Sequence, residues 1–276
     1  MGALLSFPPF AEDGVAALES GQVVTVPGEC FRLLPEEKVL LTPQLLGGAK
    51  NISLEPSGAL KHASGQRALL TAMMSRFSTY AAKLVESLAP HYRGQLERGR
   101  TSYRPAEIEG RKSSVLHDDT RLHIDAFPAV PMRGRRILRV FANVHPIAPR
   151  LWHVGEPFAD MALYFVGHAR IAPPFLNALR AALGLTKGQR TPYDDLMLAL
   201  HDGAKRDETY QLRCPKTPIA FPPGAVWLCF TDTVMHAAVK GQFALEQSFH
   251  LPVAAMADPA KAPLRILERM TGRILV

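Results

Sequence analysis

The sequence predicts an α+β fold in which helices flank a β-sandwich or barrel. Apolar residues recur at helical spacing over 69–96, whereas the centre and the last third contain short β-rich runs separated by Pro- and Gly-containing turns. The chain has 276 residues, of which 47% are hydrophobic and 21% charged, so it can bury a large core. This composition excludes a disordered, collagenous or disulfide-stapled protein.

The spacing of apolar and turn residues predicts each element in order. The first third begins with a short strand over 22–26 and a turn at Pro27-Gly28, and continues with one long or broken helix over 69–96. The later elements alternate between β-rich and helical runs. They are strands at 121–127 and 136–144, helices at 174–183 and 192–205, strands at 210–213, 225–230 and 245–251, and a closing helix at 259–271.

We expect a single domain over residues 1–276, since no internal repeat or low-complexity linker divides the chain. Residues 1–100 are expected to form a mainly helical N-terminal buttress. The β core is expected over 101–255, with a helical insertion at about 173–206, and the closing helix over 256–276.

The charge balance favours an anionic partner. There are 32 Lys and Arg against 25 Asp and Glu, which gives a formal charge of +7; such an excess suits an anionic substrate, a phosphate-bearing membrane surface or nucleic acid. No basic run is long enough for a nucleic-acid tail, so no nucleic-acid partner is expected. The N-terminal residues lack the pattern of a secretory signal, and three scattered cysteines fit a reducing compartment. We therefore expect a cytoplasmic protein.

The segment 117–127 carries the most informative motif. On an extended strand, His123 and Asp125 are two residues apart, so both side chains point to the same face. An imidazole beside a carboxylate supplies two ligands of the 2-His-1-carboxylate triad that binds Fe(II) and leaves positions open for a co-substrate and O2. Because an H-x-D pair is common by chance, the hypothesis needs a second histidine from a later strand.

His236 can supply the third ligand, because it follows a buried-looking strand and a Thr-Asp-Thr turn. Its alternative is an ordinary core or loop histidine with one backbone hydrogen bond. Residues 117–119 (His-Asp-Asp) form a rival ligand set in an apparent loop. His201 and Asp202 lie on a predicted helix, where adjacent side chains diverge by about 100°.

A 2-oxoglutarate-dependent oxygenase also needs a cation for the distal carboxylate of the keto acid, and the fork of an arginine suits it. The region after His236 has only Lys240 nearby. The strand after H-x-D has Arg139, which alternation places on one face with Phe141 and Asn143. We therefore assign co-substrate binding to Arg139 and Asn143, with a structural salt bridge as the alternative for Arg139.

Three separated segments, in this order, resemble the bacterial Kdo 3-hydroxylases. They are DDTRLHIDAFPAVPMRGRRILRVFANVHP, RLWHVGEPF and PPGAVWLCFTDTVMHAAVKGQFALEQSFHL, within residues 100–255. The resemblance implies a double-stranded β-helix (jelly-roll) core and hydroxylation at C3 of 3-deoxy-D-manno-oct-2-ulosonic acid (Kdo) in lipopolysaccharide. It implies His123, Asp125 and His236 as iron ligands, 2-oxoglutarate and O2 as co-substrates, and ascorbate as a supporting reductant.

The implied substrate, a Kdo-containing lipid A precursor, carries carboxylate and phosphate groups, so nearby arginines become candidate contacts. The candidates, each with a solvated surface position as the alternative, are Arg121, Arg133, Arg135 and Arg136. We expect transient association with the cytoplasmic face of the inner membrane. Three rivals stay open: a dioxygenase acting on another anionic sugar or lipid, a non-catalytic cupin-like binding protein, and a charge-driven membrane or nucleic-acid module.

Overall fold

The computed structural model describes residues 12–276, in which runs of helices and runs of antiparallel strands follow one another along the chain. The helices are α1 Glu12–Glu19, α2 Arg67–Leu88, α3 Phe158–Val166, α4 Pro174–Ala182, α5 Pro192–Arg206, α6 Glu208–Arg213 and α7 Pro263–Thr271. The strands are β1 Val24–Thr25, β2 Ile52–Leu54, β3 Leu60–Lys61, β4 Glu97–Arg104, β5 Arg136–Asn143, β6 Arg150–Val154, β7 Thr217–Phe221, β8 Val226–Phe230, β9 His236–Lys240 and β10 Ala244–Leu251.

The strands form two antiparallel sheets. The larger sheet has seven strands in the order β1-β8-β5-β10-β4-β2-β3, and the smaller has three in the order β7-β6-β9. Antiparallel sheets with segregated helices define the α+β class that the sequence predicts. None of the helices in residues 12–276 has the length and apolar content needed to cross a bilayer.

Strand β5 shows how the larger sheet divides two environments. Leu138 and Val140 pack into the core under α2, and Phe77 of that helix belongs to the same core. Arg139 and Phe141 lie on the opposite face, towards the smaller sheet. The predicted alternation along this strand is therefore confirmed. Burying each of these aliphatic side chains stabilises the folded state by about 1.5–3 kcal/mol.

Aromatic side chains fill the space between the two sheets. Trp227 of β8 stacks on Phe221 of β7 with ring centroids 3.8 Å apart, and Trp152 of β6 meets Phe141 of β5 edge-on at 4.9 Å. These contacts fix the smaller sheet on the larger one. They also set the inner strands at a distance that leaves a polar cavity beside them.

The helix predicted over 69–96 ends earlier than its apolar spacing indicates. Helix α2 ends at Leu88 because Pro90, which follows after one residue, cannot donate an intrahelical hydrogen bond. The apolar residues beyond it belong to a 3₁₀ turn and to the approach of β4.

The prediction of a strand at 210–213 is wrong. These residues lie in α6, because the Asp207 side chain accepts a hydrogen bond from the Tyr210 backbone N–H at 2.9 Å and caps a helix. The strand forms later, as β7, in a proline-containing segment for which no strand was predicted. Pro218 is tolerated there because β7 is an edge strand.

The segment 121–127 is extended but is not a regular strand. Only one isolated bridge, between His123 and His236, ties it to β9. The N-terminal region is less helical than the mainly helical buttress expected over residues 1–100, since β1, β2, β3 and the first half of β4 join the larger sheet. Residues 1–11 of that expected region lie outside the described range.

Candidate metal centre

Three side chains converge at one end of the smaller sheet. His123, Asp125 and His236 each offer a ligand atom, and these atoms lie within 4.8 Å of one another. The backbone holds them there: His123 and His236 exchange two hydrogen bonds of 3.0 and 2.9 Å, and the Asp125 N–H donates to the Thr231 carbonyl at 2.7 Å. The structure thus brings together the three predicted metal ligands.

The backbone also sets the tautomer of both histidines. Nδ1 of His123 lies 2.8 Å from the carbonyl oxygen of Arg121, and Nδ1 of His236 lies 2.8 Å from that of Val234. Because a carbonyl only accepts, each Nδ1 carries the proton and each Nε2 presents a lone pair. This orientation by an outer hydrogen bond is typical of metal-binding histidines.

The surroundings keep the three groups in their metal-binding charge states. Burial lowers the pKa of both His123 and His236 below the usual value. Burial acts to raise the pKa of Asp125, but the Arg139 guanidinium and, to a lesser degree, His236 together outweigh it, and the pKa lies below its ordinary value. Neutral imidazoles and an ionised carboxylate are the forms that bind a metal.

This donor set fits Fe(II), because two imidazole nitrogens and one carboxylate oxygen form the facial triad of non-heme iron oxygenases. Among residues 12–276 it is the one group of this kind. The rival set at 117–119 does not assemble, since Asp119 is engaged by Lys50 at 3.0 Å and by Arg111 at 2.8 Å.

A cavity of about 170 Å³ opens beside the three ligands and is strongly charged. Its lining includes four arginines and three carboxylates, which are Arg100, Arg104, Arg139, Arg150, Asp119, Asp125 and Glu246. Such a lining can hold an anion only where a cation is not already neutralised, so the pairing of each arginine decides what the cavity can bind.

Arg139 is already paired at both ends of its fork. Its Nη2 lies 2.9 Å from Asp125 Oδ2, and its Nη1 lies 2.7 Å from Glu246 Oε1. This arrangement conflicts with its predicted role as the 2-oxoglutarate carboxylate partner. The alternative of a structural salt bridge describes its position, and the bridge orients the metal-binding carboxylate.

Glu246 links Arg139 to a second paired arginine. Arg104 donates to Glu246 at 2.8 Å and lies 3.7 Å from Asp119. Although burial acts to raise the pKa of Glu246, Arg139 and Arg104 hold it below the ordinary value. The cavity wall is therefore a chain of alternating charges in which both arginines are neutralised.

Arg150 lacks such a partner. The residue is 3% exposed, its Nη1 reaches only the Gly241 carbonyl at 3.4 Å, and its Nε has no hydrogen-bond partner within residues 12–276. Burial, reinforced by Arg104, lowers its pKa to about 9. Trp152, two residues along β6, also has a buried indole N–H without an acceptor in the described part of the chain. Arg139 Nε also has no acceptor there, but the charge of Arg139 is already paired, so the two donors of β6 mark the place for an anion.

The four arginines predicted to touch substrate do not line this cavity. Arg136 is fully buried on the opposite face of β5 from Arg139, and it forms a bidentate pair with Asp232 at 2.8 and 3.1 Å. It also donates to Thr233 and lies over the Phe230 ring, 3.9 Å from the centroid. The substrate role predicted for Arg136 is therefore incorrect, because every face of its guanidinium is used within the core.

The other three arginines lie outside the cavity lining. Arg121 donates to the Lys205 carbonyl at 2.6 Å and pairs with Glu208 at 2.8 Å. Arg135 pairs with Glu97, and Arg133 is exposed. None of these placements supports direct contact with a group bound at the metal cluster.

Asn143 does not contact the cavity either. Its amide donates to the Ala148 and Phe221 carbonyls, both at 3.0 Å, and its oxygen accepts from the His145 N–H at 3.0 Å. The predicted co-substrate role of Asn143 is wrong, because these three bonds use the side chain to fix the turn after β5.

Sequence reasoning missed the arginines of β4 and β6. Arg100, Ser102 and Arg104 lie at alternate positions of β4 and line the cavity together. Their period of two was a usable signal. The sequence around Arg150 has no comparable pattern. This arginine is buried beside the cavity only because β6 pairs with β7 on one side and with β9 on the other.

Comparisons with known proteins agree on one family. The family model described as 3-deoxy-D-manno-oct-2-ulosonic acid (Kdo) hydroxylase matches residues 8–274. A crystal structure of the Kdo hydroxylase KdoO with cobalt(II), described as a non-heme Fe(II) α-ketoglutarate-dependent dioxygenase, is 42% identical, with a TM-score of 0.93. The match covers 100% of this chain and 96% of that one.

A second KdoO structure, in complex with α-ketoglutarate and Fe(III), is 41% identical, with a TM-score of 0.92 and the same coverage of both chains. A third, with succinate and Fe(III), is also 41% identical, with the same coverage and a TM-score of 0.91. Among curated protein sequences, none matches this chain.

Proposed function

The chain belongs to the Kdo hydroxylase family, and from that premise we propose that it is an Fe(II)- and 2-oxoglutarate-dependent dioxygenase acting on Kdo. The expected reaction hydroxylates C3 of the sugar and releases succinate and CO2. The observation that carries the proposal is the His123, Asp125 and His236 cluster at a cavity that holds an unpaired buried arginine.

Fe(II), when bound, would couple O2 activation to the oxidative decarboxylation of 2-oxoglutarate. The two histidine Nε2 atoms and the Asp125 carboxylate would hold it. The Arg139 guanidinium pairs with Oδ2 of Asp125, which leaves Oδ1, 4.0 Å from His123 Nε2, for the metal. Holding the carboxylate from behind fixes its orientation without blocking it.

We assign the distal carboxylate of 2-oxoglutarate to Arg150 rather than to Arg139. Arg150 is the buried cation of the cavity whose charge has no carboxylate partner within residues 12–276. A bound carboxylate would neutralise that charge, and the neighbouring Trp152 N–H can donate to the same anion. Water has little access to this end of the cavity, which strengthens the pairing.

Arg100 is the candidate for the substrate carboxylate. It is the exposed arginine of the cavity lining and has no ion pair within the described residues. A sugar acid entering from solvent would meet this side chain before reaching the metal. The expected substrate is a Kdo-containing lipid A precursor, with the acyl chains remaining outside the cavity.

Three finer features belong to the proposal. The packing of a seven-stranded on a three-stranded antiparallel sheet, with the ligands at one end, suits the double-stranded β-helix core expected from the family resemblance. The lipid-linked substrate suits an enzyme that works transiently at the cytoplasmic face of the inner membrane. Ascorbate would support activity by keeping iron reduced.

An anaerobic titration with Fe(II) and 2-oxoglutarate tests the proposal. The wild type should develop the visible metal-to-ligand charge-transfer band, and His123→Ala should not. Arg100→Gln should keep the band and its 2-oxoglutarate affinity but raise the KM for Kdo-lipid A. A wild type that binds neither iron nor 2-oxoglutarate would instead be a cupin-like binding protein. A band without turnover on Kdo would indicate another anionic sugar or lipid.

A further inference from the structure

Helix α4 is turned inside out relative to an ordinary surface helix. Its polar residue Asn177 is 2% exposed and donates to Asp195 Oδ2 at 2.8 Å. Its large apolar residues face outward instead: Phe175 is 68% exposed and Leu179 is 52% exposed. A surface helix normally buries its apolar stripe and shows its polar residues to water.

The exposed apolar residues form one continuous ridge. Phe175, Leu179 and Leu183 are spaced at i, i+4 and i+8, so they share one face of the helix. Leu183 and the following Leu185 are each 65% exposed. We call these four residues the α4 ridge. Four large side chains held outward in one segment exceed the scattered exposed apolar residues of an ordinary surface.

The chain segment that carries the ridge has charged residues of one sign. Residues 161–193 contain no Asp or Glu but include Arg170, Arg180, Lys187 and Arg190. Arg170 and Lys187 are exposed and have no carboxylate partner within the described range. An apolar ridge flanked by uncompensated cations is complementary to an anionic lipid surface.

The ridge is also connected to the metal cavity. The Lys187 backbone N–H donates to the Ala129 carbonyl at 2.8 Å, which ties the end of the ridge segment to the chain after Asp125. Lys187 lines a second cavity of about 230 Å³, and Arg100 lines both this cavity and the one beside the metal ligands. Lys187 and Arg100 therefore place two cations between the ridge and the proposed active site, in a cavity that Glu55 and Glu97 also line.

We propose that the α4 ridge is a monotopic membrane contact. The four apolar side chains enter the interfacial region of an anionic bilayer, while Arg170 and Lys187 pair with lipid phosphates. In this orientation the second cavity receives a sugar that projects from the same lipid surface. The identity of that sugar rests on the proposed function, whereas membrane binding itself requires neither iron nor 2-oxoglutarate.

Co-sedimentation of the full-length protein with vesicles tests the contact. Wild type should bind phosphatidylglycerol/phosphatidylethanolamine vesicles, bind pure phosphatidylcholine far less, and lose affinity as salt rises. Phe175→Ser with Leu179→Ser should weaken partitioning at least about tenfold for each side chain. Arg170→Gln with Lys187→Gln should weaken it about fivefold for each charge and reduce the salt dependence.

A matched control is Ile147→Ser, which removes an apolar side chain that is 83% exposed in the loop between β5 and β6. It should bind vesicles like wild type. All variants alter exposed residues, so we expect their melting temperatures to match that of wild type. That measurement also shows that each variant is folded. The ridge variants should retain turnover of an acyl-free Kdo saccharide and lose it only on vesicle-embedded substrate.

Three results would overturn the membrane contact. They are absence of wild-type binding to anionic vesicles, equal binding by the ridge variants, and a wild-type dimer that the ridge substitutions convert to a monomer. The last result would make the ridge an interface between two copies of the chain. Because vesicle binding is measured without metal, a failed oxygenase titration would leave this test intact.

Discussion

Replacing Arg150 with methionine should stabilise the metal-free protein and at the same time abolish tight 2-oxoglutarate binding. The side chain is buried and has no carboxylate partner within residues 12–276. Methionine has a similar length and no charge. Its substitution removes the cost of an unpaired buried cation from the fold but also removes the group that we assign to the co-substrate.

The structure sets the size of both effects. The pKa of Arg150 falls to about 9 from an ordinary value of about 12.5, and a tenfold change in proton affinity is worth about 1.4 kcal/mol. The charge therefore costs at most about 5 kcal/mol at pH 7, and the cost is relieved only as pH rises through 9. Relaxation and hydration reduce it, so we expect a gain of about 1–4 kcal/mol in the free energy of unfolding.

Loss of a buried charge partner costs a bound anion at least about 2 kcal/mol, so the Kd for 2-oxoglutarate should rise at least about thirtyfold. Urea unfolding of the metal-free protein and anaerobic titration of the Fe(II) form measure the two quantities. Arg98→Met, at an exposed position of β4, is the control and should change neither. A less stable Arg150→Met protein with unchanged 2-oxoglutarate affinity would refute the assignment.

Two further substitutions test the structural assignments. Arg136→Met leaves Asp232 buried without a partner, so it should cost about 3–5 kcal/mol of unfolding free energy in urea without changing 2-oxoglutarate affinity. Recovery in Arg136→Met/Asp232→Leu is expected, and a stable single variant would contradict the pairing. Burial lowers the pKa of His250 from 6.5 to about 4, so the unfolded state takes up a proton first as pH falls below 6.5. His250→Asn should therefore lose about 2 kcal/mol less stability than wild type between pH 7.5 and 5; equal losses would contradict this.

The metal cluster was predictable because local geometry decides it. His123 and Asp125 share a face by the period of two of an extended chain, even though the segment forms only one bridge. The same period of two places the side chains of Arg136 and Arg139, three residues apart on β5, on opposite faces of the strand. The substrate assignment of Arg136 overlooked this, and the structure places it in the core beneath the sheet.

The pairing of the arginines in the binding pocket could not be predicted from the sequence, because it depends on contacts between distant segments. Arg139 needed an anionic partner by its position among apolar residues, but its partners Asp125 and Glu246 come from other parts of the chain. Arg150 is an ordinary residue in the sequence and becomes an unpaired cation only when β6 is enclosed by β7 and β9. A side-chain cap at Asp207 likewise overrode the strand propensity of residues 210–213.

Hydroxylation of Kdo is tested by turnover of Kdo-lipid A with the purified iron-loaded protein, 2-oxoglutarate and oxygen-18 gas, followed by mass spectrometry of the sugar. We expect a Kdo residue that gains one labelled oxygen at C3, with one succinate formed for each sugar hydroxylated. Consumption of 2-oxoglutarate without any labelled sugar, or labelling at another carbon, would contradict it.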